Sequence, residues 1–214
     1  MHLPKPTEGS GDFKPAPAGN IPAVCFQIIH LGTQDTTYLG EKKTANQVRI
    51  SWELKDEDAV MEDGRPMMIS QTYTWSMHEK AKLRKDLESW RGVKFRDSDF
   101  GEGGFEIEAI LGKPCLLNIV HKEKDDKTYA NIAGISPLPR GMKVNAKLHN
   151  PTAVLWLEPD LFDVGVFDQL SDYLKDKIEK SPEYQAVLDA KSSRAPVRRG
   201  AKNQTADDDV EIPF

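Results

Sequence analysis

Residues 45–54, Ala45-Asn46-Gln47-Val48-Arg49-Ile50-Ser51-Trp52-Glu53-Leu54, decide how the chain folds. Val48, Ile50, Trp52 and Leu54 occupy every second position, and Gln47, Arg49, Ser51 and Glu53 fill the places between. A period of two sends successive side chains to opposite faces, so the stretch predicts a half-buried strand with one apolar and one polar face. Trp52 is expected in the core because it shares its face with three aliphatic residues. Arg49, on the other face, can meet a phosphate or a surface carboxylate, and the sequence leaves both open.

Outward from this strand the same reasoning gives a sequence of elements. Upstream, Ile21–Leu31 (IPAVCFQIIHL) is β-branched and apolar and predicts a buried first strand, with Val24, Phe26 and Ile28 on one face and Ala23, Cys25, Gln27 and Ile29 on the other. Between the two strands, residues 32–44 read as a turn-rich loop holding Tyr38, Lys42 and Lys43. Downstream, a polar loop through Asp63-Gly64-Arg65-Pro66 leads to a third strand from Met67 to about Trp75. Ile69, Gln71, Tyr73 and Trp75 share one of its faces. Ser76–Trp90 predicts a helix: Ser76 and Glu79 make a capping box, Leu83, Leu87 and Trp90 form a stripe, and Gly92 supplies the stop. Trp90 is expected in the core. Residues 93–112 suggest a turn and a short helix. Two more strands, 114–122 and 128–137, are joined by the lysine-rich loop KEKDDK.

Strand, strand, strand, helix, strand, strand is the order of the OB-fold, a five-stranded Greek-key barrel. A mainly β chain of this kind is the expected fold, with a generic α+β sandwich as the alternative. OB-folds present ligands to the outer face of strands 2 and 3 and to the loops joining strands 1–2 and 4–5. Here both loops carry lysines. The expected division is a flexible lead-in at 1–20, the barrel at 21–150, a helical extension at 151–190, a basic flexible linker at 191–206 and an acidic tip at 207–214. In the extension, Val166–Lys180 bears the stripe Phe167, Leu170, Leu174, Ile178, and Ser181-Pro182 restarts a second short helix.

The chain has 214 residues and a formal net charge of −5, an awkward sign for a nucleic-acid binder. Residues 20–150 contain 19 Lys plus Arg against 19 Asp plus Glu, whereas residues 151–214 contain 8 against 13, so the acidity lies in the C-terminal part. A balanced body is compatible with positive charge gathered on one face. No run approaches a membrane span and the N-terminus has no signal-peptide core, which predicts a cytoplasmic protein with no membrane partner. Cys25 and Cys115 lie in apolar strands and read as reduced core residues.

Single strands are held by aromatic faces that stack on any base and by Lys or Arg that neutralise phosphate. The candidates are Tyr38, Lys42, Lys43, Arg49, Tyr73, Trp75, Lys122, Lys124 and Lys127. Tyr73 and Trp75 share a face with Ile69, so burial and stacking both stay open for them. Asp125 and Asp126 would oppose phosphate at the second loop. No metal-ligand spacing, nucleophile elbow or phosphate-binding glycine loop occurs, so neither a catalytic residue nor a cofactor or metal is expected.

The chain closes on Asp207-Asp208-Asp209-Val210-Glu211-Ile212-Pro213-Phe214. An acidic run ending in an apolar anchor suits a partner pocket with an apolar slot and a basic rim. This ending resembles the acidic tip of bacterial single-stranded DNA-binding proteins, which implies recruitment of replication and repair enzymes through Asp207, Asp208, Asp209, Glu211, Ile212, Pro213 and Phe214. The body, through VRISWEL, DGRPMMISQTYTWSMHEKAKLRKDLESWRG, FEIEAILGKPCLLNIVHK and YANIAGISPLPRG, resembles phage-encoded single-stranded DNA-binding or replication proteins over roughly residues 20–141. That resemblance implies an OB-fold and sequence-independent single-strand binding in phage replication or recombination. It supplies no contact residues and leaves a homo-oligomer open. A protein-interaction adaptor that mimics the host tail without binding DNA is the alternative.

Overall fold

β2 (Glu41–Leu54) carries the period of two into the structure: Val48, Ile50, Trp52 and Leu54 are all buried. The chain, seen in a computed structural model, is described at residues 14–38, 40–100 and 104–194. It is mainly β. β1 (Gly19–Tyr38), β2, β3 (Met68–Thr74), β4 (Pro114–Lys124) and β5 (Lys127–Ser136) form an antiparallel sheet in the order β3-β2-β1-β4-β5. β6 (Ala153–Leu155) adds to β1 in parallel, opposite Gln27, Ile28 and Ile29. No ladder joins β3 to β5 among the described residues, so the sheet is open where a closed barrel is expected. The two edge strands nevertheless approach within 8 Å between Cα atoms.

One face of the sheet encloses the main core, built from Ala23, Cys25, Ile28, Val48, Ile50, Trp52, Leu117 and Ile119 with Leu83, Leu87 and Trp90 of α1 (Lys82–Arg91). Trp52 and Trp90 lie 6.1 Å apart there, and the Trp90 indole donates to the Pro114 carbonyl at 2.9 Å. A bulge between Cys25 and Gln27 moves Ile28 into step with Ala23 and Cys25, which corrects the simple alternation expected for this strand. Ile29 and Leu31 therefore face the other side of the sheet.

That other side is covered by α2 (Val164–Asp168), α3 (Asp172–Glu179) and α4 (Pro182–Arg194). Phe167, Leu170, Leu174 and Ile178 bury against Ile29, Leu31, Leu155 and Leu157 in a second core. The stripe is the expected one, but the helix breaks at 169–171. Ser181 caps α4, accepting from the Tyr184 amide at 3.2 Å, with Pro182 at the first helical position.

Four boundaries differ from expectation. α1 begins at Lys82, not Ser76, because the Ser76 hydroxyl accepts the His78 amide at 3.2 Å in a local turn, and the N-cap Ala81 has no side-chain cap bond. Residues 32–38 and 41–44 are the arms of a hairpin, with Thr33, Thr36, Thr37 and Thr44 continuing the two strands and Gly40 at φ 83°. KEKDDK likewise extends β4 and β5, with only Asp125 and Asp126 in the turn at φ 52° and 56°. Two-residue hairpin turns need positive φ, and Asp tolerates it better than most residues. Part of the lead-in is also fixed: Ala16 is buried, and its carbonyl lies 2.8 Å from His121 Nε2.

Candidate nucleic-acid interface

The outer row of β2 alternates with its core row, so Gln47, Arg49 and Ser51 line up opposite Thr74, Thr72 and Ser70 of β3. The row is polar and linked by hydroxyl bonds: Ser70 donates to Ser51 at 2.9 Å, and Ser51 donates to Gln27 at 3.2 Å. Its carboxylate, Glu53, is fully buried at the far end. There it accepts from the backbone amides of His149 and Asn150, from the Asn150 side chain at 2.8 Å, and from Lys55. Burial works to raise the Glu53 carboxyl, but these bonds outweigh it and hold it below its ordinary value. Glu53 thus fastens residues 149–150 and does not neutralise Arg49.

α3 reaches this row from the β1 side. Lys177 Nζ donates to Gln47 Oε1 at 2.9 Å, and the Gln34 amide donates to the carbonyls of Lys177 and Leu31 at 2.9 and 2.6 Å. Arg49 is half-buried. Burial lowers its guanidinium from the ordinary value, with Tyr173 acting the other way. Lys177 is lowered by burial and then by the charge of Arg49. On the same hairpin, Glu183 of α4 accepts from the Thr33 amide at 2.8 Å and hydroxyl at 2.6 Å. Gly32, at φ 70°, lets Ser181 approach so closely that an added Cβ would lie 2.5 Å from the Ser181 Cβ.

The lysines separate by strand geometry. Lys43 is on Arg49's row and pairs with Glu41 at 3.4 Å, whereas the neighbouring Lys42 points to the opposite face. On the second hairpin, Lys122 lies opposite Tyr129, and Lys124 opposite Lys127, all on one face and all exposed. Asp125 and Asp126 occupy the turn beyond them.

Tyr73 is 3% exposed. Its ring belongs to the main core, its hydroxyl donates to Asp86 at 2.9 Å, and it is thereby removed from the stacking candidates. Trp75, 38% exposed, stands just beyond the Gln47–Thr74 rung. It packs on Trp156 at 5.4 Å and on His30 at 6.4 Å, and the Trp156 indole donates to Glu108 at 2.7 Å. Tyr38 ends β1 opposite Glu41; stacking by its ring lies outside the described residues. So do the linker beyond Arg194 and the tip Asp207–Phe214.

Three side chains at this surface escaped the sequence reading. Tyr129 was visible as the residue opposite Lys122 only once the hairpin register was known. Tyr173 and Lys177 stand beside the buried stripe on α3. Among the described residues no helix is long and apolar enough to cross a membrane, and no three His, Cys, Asp or Glu side chains are grouped as metal ligands. The sequence matches no protein-family model and no curated protein.

Proposed function

We propose that the chain is a non-catalytic, sequence-independent single-stranded DNA-binding protein of the phage-encoded type, built on an OB-fold. The order β3-β2-β1-β4-β5, the helix between β3 and β4, and the approach of β5 to β3 support the OB reading. The observation that carries the function is the outer face of β2 and β3: it is polar, centred on Arg49, and its carboxylate Glu53 is engaged elsewhere. Phosphates along an unpaired strand would meet Arg49 and Lys43 there and the Lys122, Lys124, Lys127 face of the second hairpin, with Trp75 and Tyr129 offering rings to bases. In this reading the tip Asp207–Phe214 recruits replication or recombination enzymes, and the protein acts in the host-cell cytoplasm.

Intrinsic fluorescence during titration with poly-dT tests the reading. Trp52 and Trp90 are buried, so a signal from bound bases reports Trp75 and its neighbour Trp156. Tight binding at low salt that weakens steadily as salt rises is expected. Micromolar or weaker binding, indifferent to salt, would leave the adaptor alternative in its place. Degradation of the strand on adding Mg²⁺ would overturn the non-catalytic reading. Deleting 207–214 is expected to spare DNA affinity and abolish capture of partner enzymes.

A further inference from the structure

α3 does more at the sheet than complete the second core. Leu174 and Ile178 are buried against β1, which fixes the rotation of the helix. Tyr173 and Lys177, one turn apart, then lie along the helix edge nearest Arg49. The backbone is tied to the sheet at the same place, since Gln34 bonds the Lys177 carbonyl while Lys177 Nζ bonds Gln47, the next residue on Arg49's row. Gln47 holds the ammonium with a neutral oxygen. Neither Arg49 nor Lys177 has a carboxylate partner among the described residues, and the adjacent Asp176 is engaged by Lys180 at 2.6 Å.

Two like charges brought together where water is partly excluded repel one another, and the fold gains nothing from the pairing itself. An anion between them reverses the sign of that interaction. The Tyr173 side chain beside them is 69% exposed, an aromatic face turned to solvent and not spent on packing. We propose that Arg49, Lys177 and Tyr173 form one nucleotide subsite, in which the two cations grip a backbone phosphate and the tyrosine ring stacks on the adjoining base. This rests on the single-stranded DNA reading above and extends it to the helices after residue 150. A stacked base must be unpaired, so the subsite favours single strands over duplex.

The test is titration of the full chain with a dT oligonucleotide across a salt series. The variants are R49M/K177M together, Y173L, and K85M on the exposed side of α1 as a control. The double variant is expected to reduce the magnitude of the salt slope by about 0.7, the value for one phosphate contact on single strands. Y173L is expected to weaken binding about 5- to 150-fold with the slope unchanged, and K85M to behave as wild type. If the wild type binds while Y173L and the double variant match its affinity and slope, the subsite is overturned and the function stands. If the wild type itself fails to bind, both fall. Should the double variant lower the urea midpoint, Y173L at its exposed position decides alone.

Discussion

The β1–β2 and β4–β5 hairpins look alike as lysine-bearing connections, yet the protein treats them differently. The root of the first is clamped: Thr33 by Glu183, Gln34 and Gln47 by Lys177, and Gly32 against Ser181. The second carries only exposed side chains from His121 to Tyr129. An anchored arm holds its cations in one geometry, while an exposed arm lends charge without fixing it. Pre-organisation lowers the ordering cost of binding, so a lysine on one arm is not equivalent to a lysine on the other.

The sharpest way to break this contrast is a pair of glycine substitutions. Gly32→Ala should destabilise strongly, combining about 1–2 kcal/mol for a side chain at positive φ with roughly 1–3 kcal/mol of overpacking against Ser181. Gly134→Ala on β5 meets nothing within 4 Å and should shift stability by under about 0.5 kcal/mol. Urea midpoints measure both. An unchanged midpoint for Gly32→Ala would remove the close contact with α4 from the account.

A smaller effect separates the arms by pH. Burial tends to raise the Glu183 carboxyl, but the hydroxyl and amide of Thr33 hold it below its ordinary value. A group depressed in the folded state contributes stability above its unfolded pKa, and that contribution fades as pH falls through the folded value. The wild type should therefore lose stability relative to Glu183→Gln between roughly pH 5 and 3. Parallel curves for the two proteins would mean that the carboxylate does not clamp the hairpin.

The smallest effects belong to the exposed arm. Lys122→Ala, Lys124→Ala and Lys127→Ala should each leave the urea midpoint within about 0.5 kcal/mol of wild type. In DNA titrations each should lower the salt slope by no more than about 0.7. A larger stability loss from any of them would show that this hairpin is anchored after all.

Much of the sheet was legible because its pattern is local. Val48 to Leu54 fixed β2, Leu83 to Trp90 fixed the inner face of α1, and Phe167 to Ile178 fixed the stripe that covers β1. What the sequence hid depends on contacts between distant residues. The continuation of the first hairpin through Thr33–Thr37 and Lys42–Thr44 could not be told from a polar loop, because its strands gain their order from pairing and from α4, 150 residues along the chain at Thr33–Glu183. The bulge at Cys25/Gln27 reverses which residues share a face, and no local signal marks it. At the candidate interface, Arg49 was found because its neighbours alternate. Tyr173 and Lys177 were passed over because a helix pattern identifies the buried side but not which element lies beside its flank. Tyr73 shows the converse: a strand-face aromatic whose polar tip reaches Asp86 is a core residue with a satisfied hydroxyl.

β1 is a wall common to two interiors, with Ile28 turned into one and Ile29 and Leu31 into the other, while β6 occupies its edge at Gln27–Ile29. Ending the chain at residue 150 would strip that wall bare, leaving a greasy strip beside unpaired peptide groups, the arrangement by which strands of separate molecules adhere to one another. Any shortened version meant to isolate the sheet would precipitate unless Ile29 and Leu31 were first made polar. The C-terminal helices are thus also the cover over that strip.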